Sequence, residues 1–307
     1  MRIAALQMVS TSSIEQNLSA AARLIASAAE AGATLVVLPE VFATLEGLSP
    51  LADVGERMRE AVALQKPHER SGEKESRGSQ EGQGSNLRGD EAASPLQNFL
   101  SSQAAQHSLT IVGGTIPLLS RPDGSLIEDG RVRASSLVFN PQGERVARYD
   151  KIHLFDVKVN DAQSQYSESL SYEAGSDLAC VEVGEWQLGL SVCYDLRFGE
   201  LYRQLTALGA QLVTVPAAFT AVTGAAHWEP LLRARAIENQ CYVVAAAQGG
   251  RHSETRETWG HSMIVDPWGE VLDCVATGEG IAIADIDLAR VEDIRSRMPI
   301  QQQRRLS

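Results

Sequence analysis

Apolar residues along this chain fall into short runs closed by turn residues, and these runs alternate with longer amphipathic stretches. Residues 1–9 alternate loosely between apolar and polar, which predicts a first strand. Over 17–31, Leu18, Ala21, Ala22, Ile25 and Ala28 share one helical face, and Gly32 suits the cap that follows. The stretch TLVVL (34–38) is wholly apolar, as expected for a strand covered on both faces, and it stops at Pro39-Glu40. Strand, helix and strand within so short a span is the signature of an α/β fold.

The same pattern extends down the chain after an interruption. Residues 66–94 are dense in Gly, Ser, Glu, Lys and Arg, with one leucine and no aromatic. Such a segment cannot bury enough apolar surface to offset the entropy of ordering, so it reads as a disordered polar insertion. A helix is predicted over 95–107 and a strand in LTIVGGTIP. A hairpin follows over 131–155, around Asn140-Pro141-Gln142-Gly143. A strand over 186–192 leads into Cys193, with a helix over 197–208. QLVTVP is a strand, 226–240 a helix and CYVVAAAQ a strand. HSMIVDPWGEVLDCVA forms a second hairpin with GIAIADI beside it. Residues 299–307 read as a flexible tail. No repeat or linker divides the chain, so 1–307 is expected to be one α/β domain.

Composition narrows the partners. Hydrophobic residues make up 44% of the 307, enough for a full-sized core. A net charge of -12 and the absence of a basic stripe argue against nucleic acid as a partner. The N-terminus turns polar too soon for a signal peptide, and no apolar run is long enough for a membrane span. A cytoplasmic protein is expected. Cys180, Cys193, Cys241 and Cys274 form no C-x-x-C pair and match no zinc motif. Three of the four fit the role of small buried hydrophobes.

Three polar residues stand where apolar runs end: Glu40 after TLVVLP, Lys151 within RYDKIHL, and Cys193 after GLSV. In α/β sheets, the crevice beyond the carboxyl ends of strands is the usual ligand site. If folding brings the three together, they suffice for acyl transfer. The thiolate of Cys193 attacks, helped by a following helix N-terminus and a nearby ammonium. Glu40 accepts the thiol proton and passes it to a departing amine. Lys151 and the backbone N–H of Tyr194 stabilise the oxyanion. No metal or cofactor is needed. Taken singly, Glu40 and Lys151 read equally well as solvated residues at strand ends.

The segments LVVLPEVF, RYDKIHLFDV and GLSVCYDLRFGELYR resemble the signature blocks of the nitrilase superfamily of carbon–nitrogen hydrolases. The likeness continues through VPAAFTAVTGAAHWEPLLRARAIENQCYVVAAAQGG and GHSMIVDPWGEVL, and so covers nearly everything outside the insertion. The resemblance implies a four-layer α-β-β-α sandwich, a homodimer formed through the helical layer, and a Glu40–Lys151–Cys193 triad. It also implies a second glutamate that positions the lysine or the substrate, best matched by Glu168, with Glu173 as the fallback. KIHLFDV, CYDLRF and FTAVTGAAHWE are most similar to the deaminated glutathione amidase branch. That branch repairs a metabolite by hydrolysing the side amide of its 2-oxo acid unit to the free acid. The related ω-amidases act on 2-oxoglutaramate and 2-oxosuccinamate, and N-carbamoyl amino acid hydrolases are a further alternative. A small-molecule amide bearing a carboxylate calls for a cation, for which Arg197 is the candidate, with Thr220 and Thr223 as pocket hydroxyls.

Two features depart from the branch. Gly199 stands where proline is usual, and the insertion is longer and more polar than is typical there. Competing readings explain fewer residues. Asp150, His153 and Asp156 cannot converge on a metal from one strand. His227, His252 and His261 lack the local signatures of a papain-like pair. A catalytically silent binding protein on the same fold is expected to have lost a triad member, and here all three positions are filled.

Overall fold

A computed structural model describes residues 1–45 and 94–305 of the chain. The core of the first sheet is a parallel trio: β1 (Arg2–Gln7), β2 (Leu35–Val37) and β3 (Thr110–Val112). Antiparallel β4 (Ile116–Leu118), β5 (Arg133–Phe139) and β6 (Arg145–Asp150) extend one side. The second sheet holds β9 (Cys180–Val183), β10 (Trp186–Leu190), β11 (Leu212–Thr214), β12 (Tyr242–Ala245), β15 (Ser262–Val265) and β16 (Val271–Val275), with β10, β11 and β12 parallel. Two separate hairpins, β7 (Asp156–Lys158) with β8 (Gln165–Ser167), and β13 (Gly249–Arg251) with β14 (Glu257–Trp259), rise beside the sheets.

Alternation along the strands creates the layers. In β1 and β2, Ile3, Ala5, Leu35 and Val37 share a cluster with Leu188, Leu190 and Val213 of the second sheet. Their neighbours Ala4, Leu6 and Val36 join Ala21, Leu24, Ile25 and Ala28 of α1 (Ile14–Glu30) and Leu96, Leu100 and Ala104 of α2 (Pro95–His107). Successive side chains of a strand point to opposite faces, so wholly apolar strands are those covered on both. The far face of the second sheet is covered by α3 (Gly199–Ala207), through Leu201, Tyr202 and Leu205, and by α4 (Ala221–Asn239), through Trp228, Leu232 and Ala236. The result is the four-layer α-β-β-α sandwich implied by the sequence motifs.

Several boundaries differ from the sequence reading. The helix expected over 226–240 starts at Ala221, because the Thr220 hydroxyl caps it by accepting from Thr223 N at 3.3 Å. LTIVGGTIP divides into β3 and β4. Strand β17 (Gly280–Asp285) lies beside the second hairpin, with Ile283 N donating to Asp273 Oδ2 at 2.8 Å, but its backbone pairs with β1 in the other sheet. The predicted insertion lies outside the described residues except for Ser94, whose hydroxyl caps α2 by accepting from Gln97 N. Near the C-terminus, α5 (Leu288–Arg297) is followed by α6 (Ile300–Gln303), a single turn within the segment read as a tail.

Candidate active site

The three polar residues at strand ends meet in one cavity of about 370 Å³. Glu40 follows β2, Lys151 follows β6 and Cys193 lies just past β10, so all three stand beyond carboxyl ends of strands. Lys151 Nζ donates to Glu40 Oε1 at 2.8 Å and to both carboxylate oxygens of Glu168 at 2.8 Å. Glu40 Oε2 accepts the Ala218 N–H at 2.9 Å, and Cys193 lines the same cavity close enough for the carboxylate to act on its thiol. Glu40 and Lys151 are only 5% and 2% exposed. Charged groups so deeply buried persist only when paired, and here one ammonium sits between two carboxylates.

The backbone bends sharply at these positions. Cys193 has φ 48 and Val41, directly after Glu40, has φ 50. A β-branched residue in that region is a genuine outlier, and such strain clusters at functional sites. Two glycines allow the close approach that seats the triad. A Cβ on Gly114 (φ +52) would lie 2.0 Å from the carbonyl oxygen of Pro39, and one on Gly175 would lie 2.1 Å from that of Asp150. Neither neighbour is a flexible side chain that could yield.

Electrostatics favour the protonated thiol of Cys193 in the resting site. Burial pushes the Cys193 thiol well above its ordinary value, and the Glu40 carboxylate adds to this. Lys151 pulls the other way without prevailing, since its charge is already shared with Glu168 and Glu40. Burial alone would lower the ammonium of Lys151, but the two carboxylates outweigh it and hold it well above its usual range. Burial raises Glu168 against the pull of Lys151. The sequence reading expected a helix N-terminus to favour the thiolate. Instead, Cys193 opens a five-residue 3₁₀ turn (Cys193–Arg197), and α3 begins only at Gly199. Without the aligned peptides of a longer helix there is little dipole to draw on.

The other expected residues are distributed as follows. Glu168, the best match expected for a second glutamate, is the one that Lys151 Nζ reaches. Glu173 pairs with Arg121 and Arg133 instead, and chiefly the Arg121 hydrogen bond brings its carboxyl down to about 2. Tyr194 and Thr223 line the cavity, whereas Thr220 is the buried cap of α4 and does not. Arg197 is not a lining residue. It packs over the rings of Tyr194 and Phe219 and bonds His227 Nδ1 at 3.2 Å. In a 3₁₀ turn the residue above Cys193 is three positions on, so a four-residue spacing rotates Arg197 away. Gly199 occupies the first helical position of α3, where proline is well suited, with the Arg235–Glu238 ion pair close by.

Sequence reasoning missed three positioning groups and one cation. Asp195, fully buried, accepts from Tyr149 Oη, His153 N, His153 Nδ1 and Val192 N at 2.7–3.0 Å. It thereby latches the segment carrying Lys151 to the turn carrying Cys193. Its place in CYDLRF was the available signal, and His153 in DKIHLFD is its partner. Gln248, after β12, donates to Glu40 O at 3.1 Å and to Ser10 Oγ at 2.8 Å. The cation is Arg256, which lines the cavity from the turn between β13 and β14. Asp150, His153 and Asp156 belong to different networks: Asp150 bonds Ser135 and Arg148, and Asp156 accepts from Ser169 N.

A carbon-nitrogen hydrolase family model matches residues 2–296. The chain belongs to that family. A deaminated glutathione amidase of Synechocystis sp. is 40% identical over 98% of this chain and 97% of its own length. Mouse omega-amidase NIT2 is 33% identical over 99% of this chain and 95% of its own. Among solved structures, the C. elegans NitFhit protein superposes with a TM-score of 0.79 at 33% identity, covering 99% of this chain and 65% of that one. Saccharomyces cerevisiae Nit3, of branch 10 of the nitrilase superfamily, gives 0.78 at 28% identity, covering 100% and 97%. This carbon-nitrogen hydrolase thus shares its sandwich with those proteins along its whole described length.

Proposed function

We propose that the protein is an amidase that hydrolyses deaminated glutathione at the side amide of its 2-oxo acid unit. Convergence of Glu40, Lys151 and Cys193 on one cavity is the observation that carries the chemistry; the named relatives supply the substrate. In this mechanism Glu40 takes the proton from Cys193 Sγ as sulfur bonds to the amide carbon. The carbonyl oxygen becomes an oxyanion, held by Lys151 Nζ and the Tyr194 N–H. Glu40 then gives its proton to the amide nitrogen, the C–N bond breaks, and cysteinylglycine departs. A thioester remains on Cys193. Glu40 next takes a proton from water, whose oxygen attacks the thioester carbon. Collapse expels the sulfur, which regains the proton, and the 2-oxo acid leaves. Glu168 keeps Lys151 charged and oriented throughout.

The direct test is release of cysteinylglycine from deaminated glutathione, with Cys193→Ala inactive but folded. Wild-type-like turnover by Cys193→Ala would sink the nucleophile assignment. The likeness to an omega-amidase supports a second reading, in which 2-oxoglutaramate is cleaved and ammonia released. Equal concentrations of the two compounds and an N-carbamoyl amino acid, ranked by kcat/KM, separate the readings. We also place the enzyme in the cytoplasm as a homodimer. No helix among the described residues is long and apolar enough to cross a membrane. Exposed Ile237 on α4 and Trp268 nearby offer an apolar contact on the helical layer. Sedimentation at twice the 33.1 kDa chain mass is expected, and a monomer would refute the dimer.

A further inference from the structure

Four acidic or basic side chains line the cavity among the described residues: Glu40, Lys151, Glu168 and Arg256. The first three satisfy one another. Arg256 has no carboxylate partner among the described residues. Its Nη2 donates to Ala218 O at 3.4 Å, its Nη1 to Gln163 Oε1 at 3.5 Å, and its guanidinium lies 4.9 Å from the centre of the Tyr166 ring. These are long, neutral contacts, which aim the fork without neutralising it. An arginine presented to a cavity in this way has its strongest valence, a bidentate pair with an anion, still open.

We propose that Arg256 binds the carboxylate at the 2-oxo acid end of the substrate and so selects for acids of that kind. The proposal rests on the amidase reading above and adds the residue that reads the acyl half. Ala218 gives the scale. Its N–H holds Glu40 and its carbonyl accepts from Arg256, so the base and the guanidinium lie at most roughly 10 Å apart. In a 2-oxo acid amide with two methylenes, the carboxylate carbon is four bonds from the amide carbon, about 5 Å when extended. That chain fits the interval with room for the attacking sulfur at one end and a hydrogen-bonded fork at the other.

Two physical arguments favour the acyl carboxylate over one on the departing amine. Glu40 and Glu168 outnumber Lys151 at the reacting end, so a substrate carboxylate must be held away from them by a separate cation. The acyl half also stays bound as the thioester after the amine has gone. A cation gripping that half keeps the carbonyl aimed at Lys151 for the second step, whereas a cation gripping the leaving group would retard its release. Ser253 and Thr255, from the same turn as Arg256, line the cavity beside it and supply hydroxyls for the rim of such a subsite.

The test compares wild type, Arg256→Leu and Arg256→Lys on 2-oxoglutaramate, on deaminated glutathione, and on 2-oxoglutaramate methylated at its carboxylate. Arg256→Leu is expected to raise KM ten- to a hundredfold on both acids in parallel, with kcat within a few-fold, as for loss of a charged hydrogen bond. Arg256→Lys should fall between, and the methyl ester should respond less than twofold. Unchanged KM on the acids overturns the proposal. So does a loss confined to deaminated glutathione, which would assign Arg256 to the glycine carboxylate instead. Calorimetric binding of 2-oxoglutarate to Cys193→Ala protein, with and without Arg256→Leu, reads the subsite without turnover. Weakening by the same factor supports the assignment even if none of the amides is cleaved. No binding, or equal binding with leucine, refutes it. Thermal melting and alkylation of Cys193 in the single variants report whether the fold and the nucleophile survive.

Discussion

Replacing Glu40 by glutamine separates the base from the nucleophile. The carboxylate accepts from Lys151 at 2.8 Å through one oxygen and from Ala218 N at 2.9 Å through the other, and it raises the nearby thiol. Glutamine keeps one accepting oxygen and turns an NH₂ toward the other donor. One buried donor then loses its partner, at a cost of about 1–3 kcal/mol in stability. Turnover should suffer far more. No carboxylate then carries the Cys193 proton to the leaving amine; general acid–base transfer is worth roughly 10²–10⁴-fold in each direction. A fall in kcat/KM of about a thousandfold or more is therefore expected. Removing the Glu40 charge also removes one of the two influences that raise the thiol, while Lys151 stays. Iodoacetamide should then still alkylate Cys193 near neutral pH, no more slowly than in wild type. The assays are product release by chromatography and alkylation rate by mass spectrometry. If Glu40→Gln keeps more than a tenth of wild-type kcat/KM, the general-base argument fails; alkylation at the wild-type rate with hydrolysis lost assigns the defect to proton delivery to the leaving amine.

Other predictions follow from the supports of the site. Asp195→Asn places an NH₂ against donors from Tyr149, Val192 and His153, so it should destabilise the fold by about 2–4 kcal/mol in urea and lower kcat more than it raises KM. A stable, fully active variant would show that the latch is dispensable. Gly114→Ala forces a Cβ into the Pro39 carbonyl and should cut activity by displacing Glu40; normal kinetics would mean that the loop yields. His252 is held neutral mainly by burial, its value brought down to about 4, with Nδ1 donating to Ser10 O at 2.8 Å. Its folded value lies below the unfolded 6.5, so its contribution is intact above pH 6.5. That contribution is lost between pH 6.5 and 4, amounting to at most about 3 kcal/mol. Denaturant unfolding of His252→Gln should show a flatter acid limb than wild type, and an identical limb would refute the assignment.

What the sequence determined by itself was the local chemistry. Apolar runs that ended at Glu40 and Cys193 marked two strands and two candidate groups together, because a strand buried on both faces is apolar until it reaches the crevice. Lys151 instead follows the polar strand RVARYD and stood out through its motif. Glu168 was legible only through its motif, with Glu173 a near rival. Tertiary structure decided between them by giving Glu173 to Arg121 and Arg133 and leaving Glu168 to Lys151. It also decided the electrostatics at Cys193, since the burial and the Glu40 carboxylate that raise its thiol are properties of the assembled site. Arg197 and Arg256 show the same division. Spacing along the chain favoured Arg197, but a 3₁₀ turn in place of an α-helix rotated it behind the rings of Tyr194 and Phe219. Arg256 carried no local signal, because what distinguishes it is the lack of a carboxylate partner among the described residues and the cavity that folding provides. Periodicity and residue type are local quantities readable along a chain, whereas the sharing of charge and the direction of a side chain depend on neighbours that are distant in sequence.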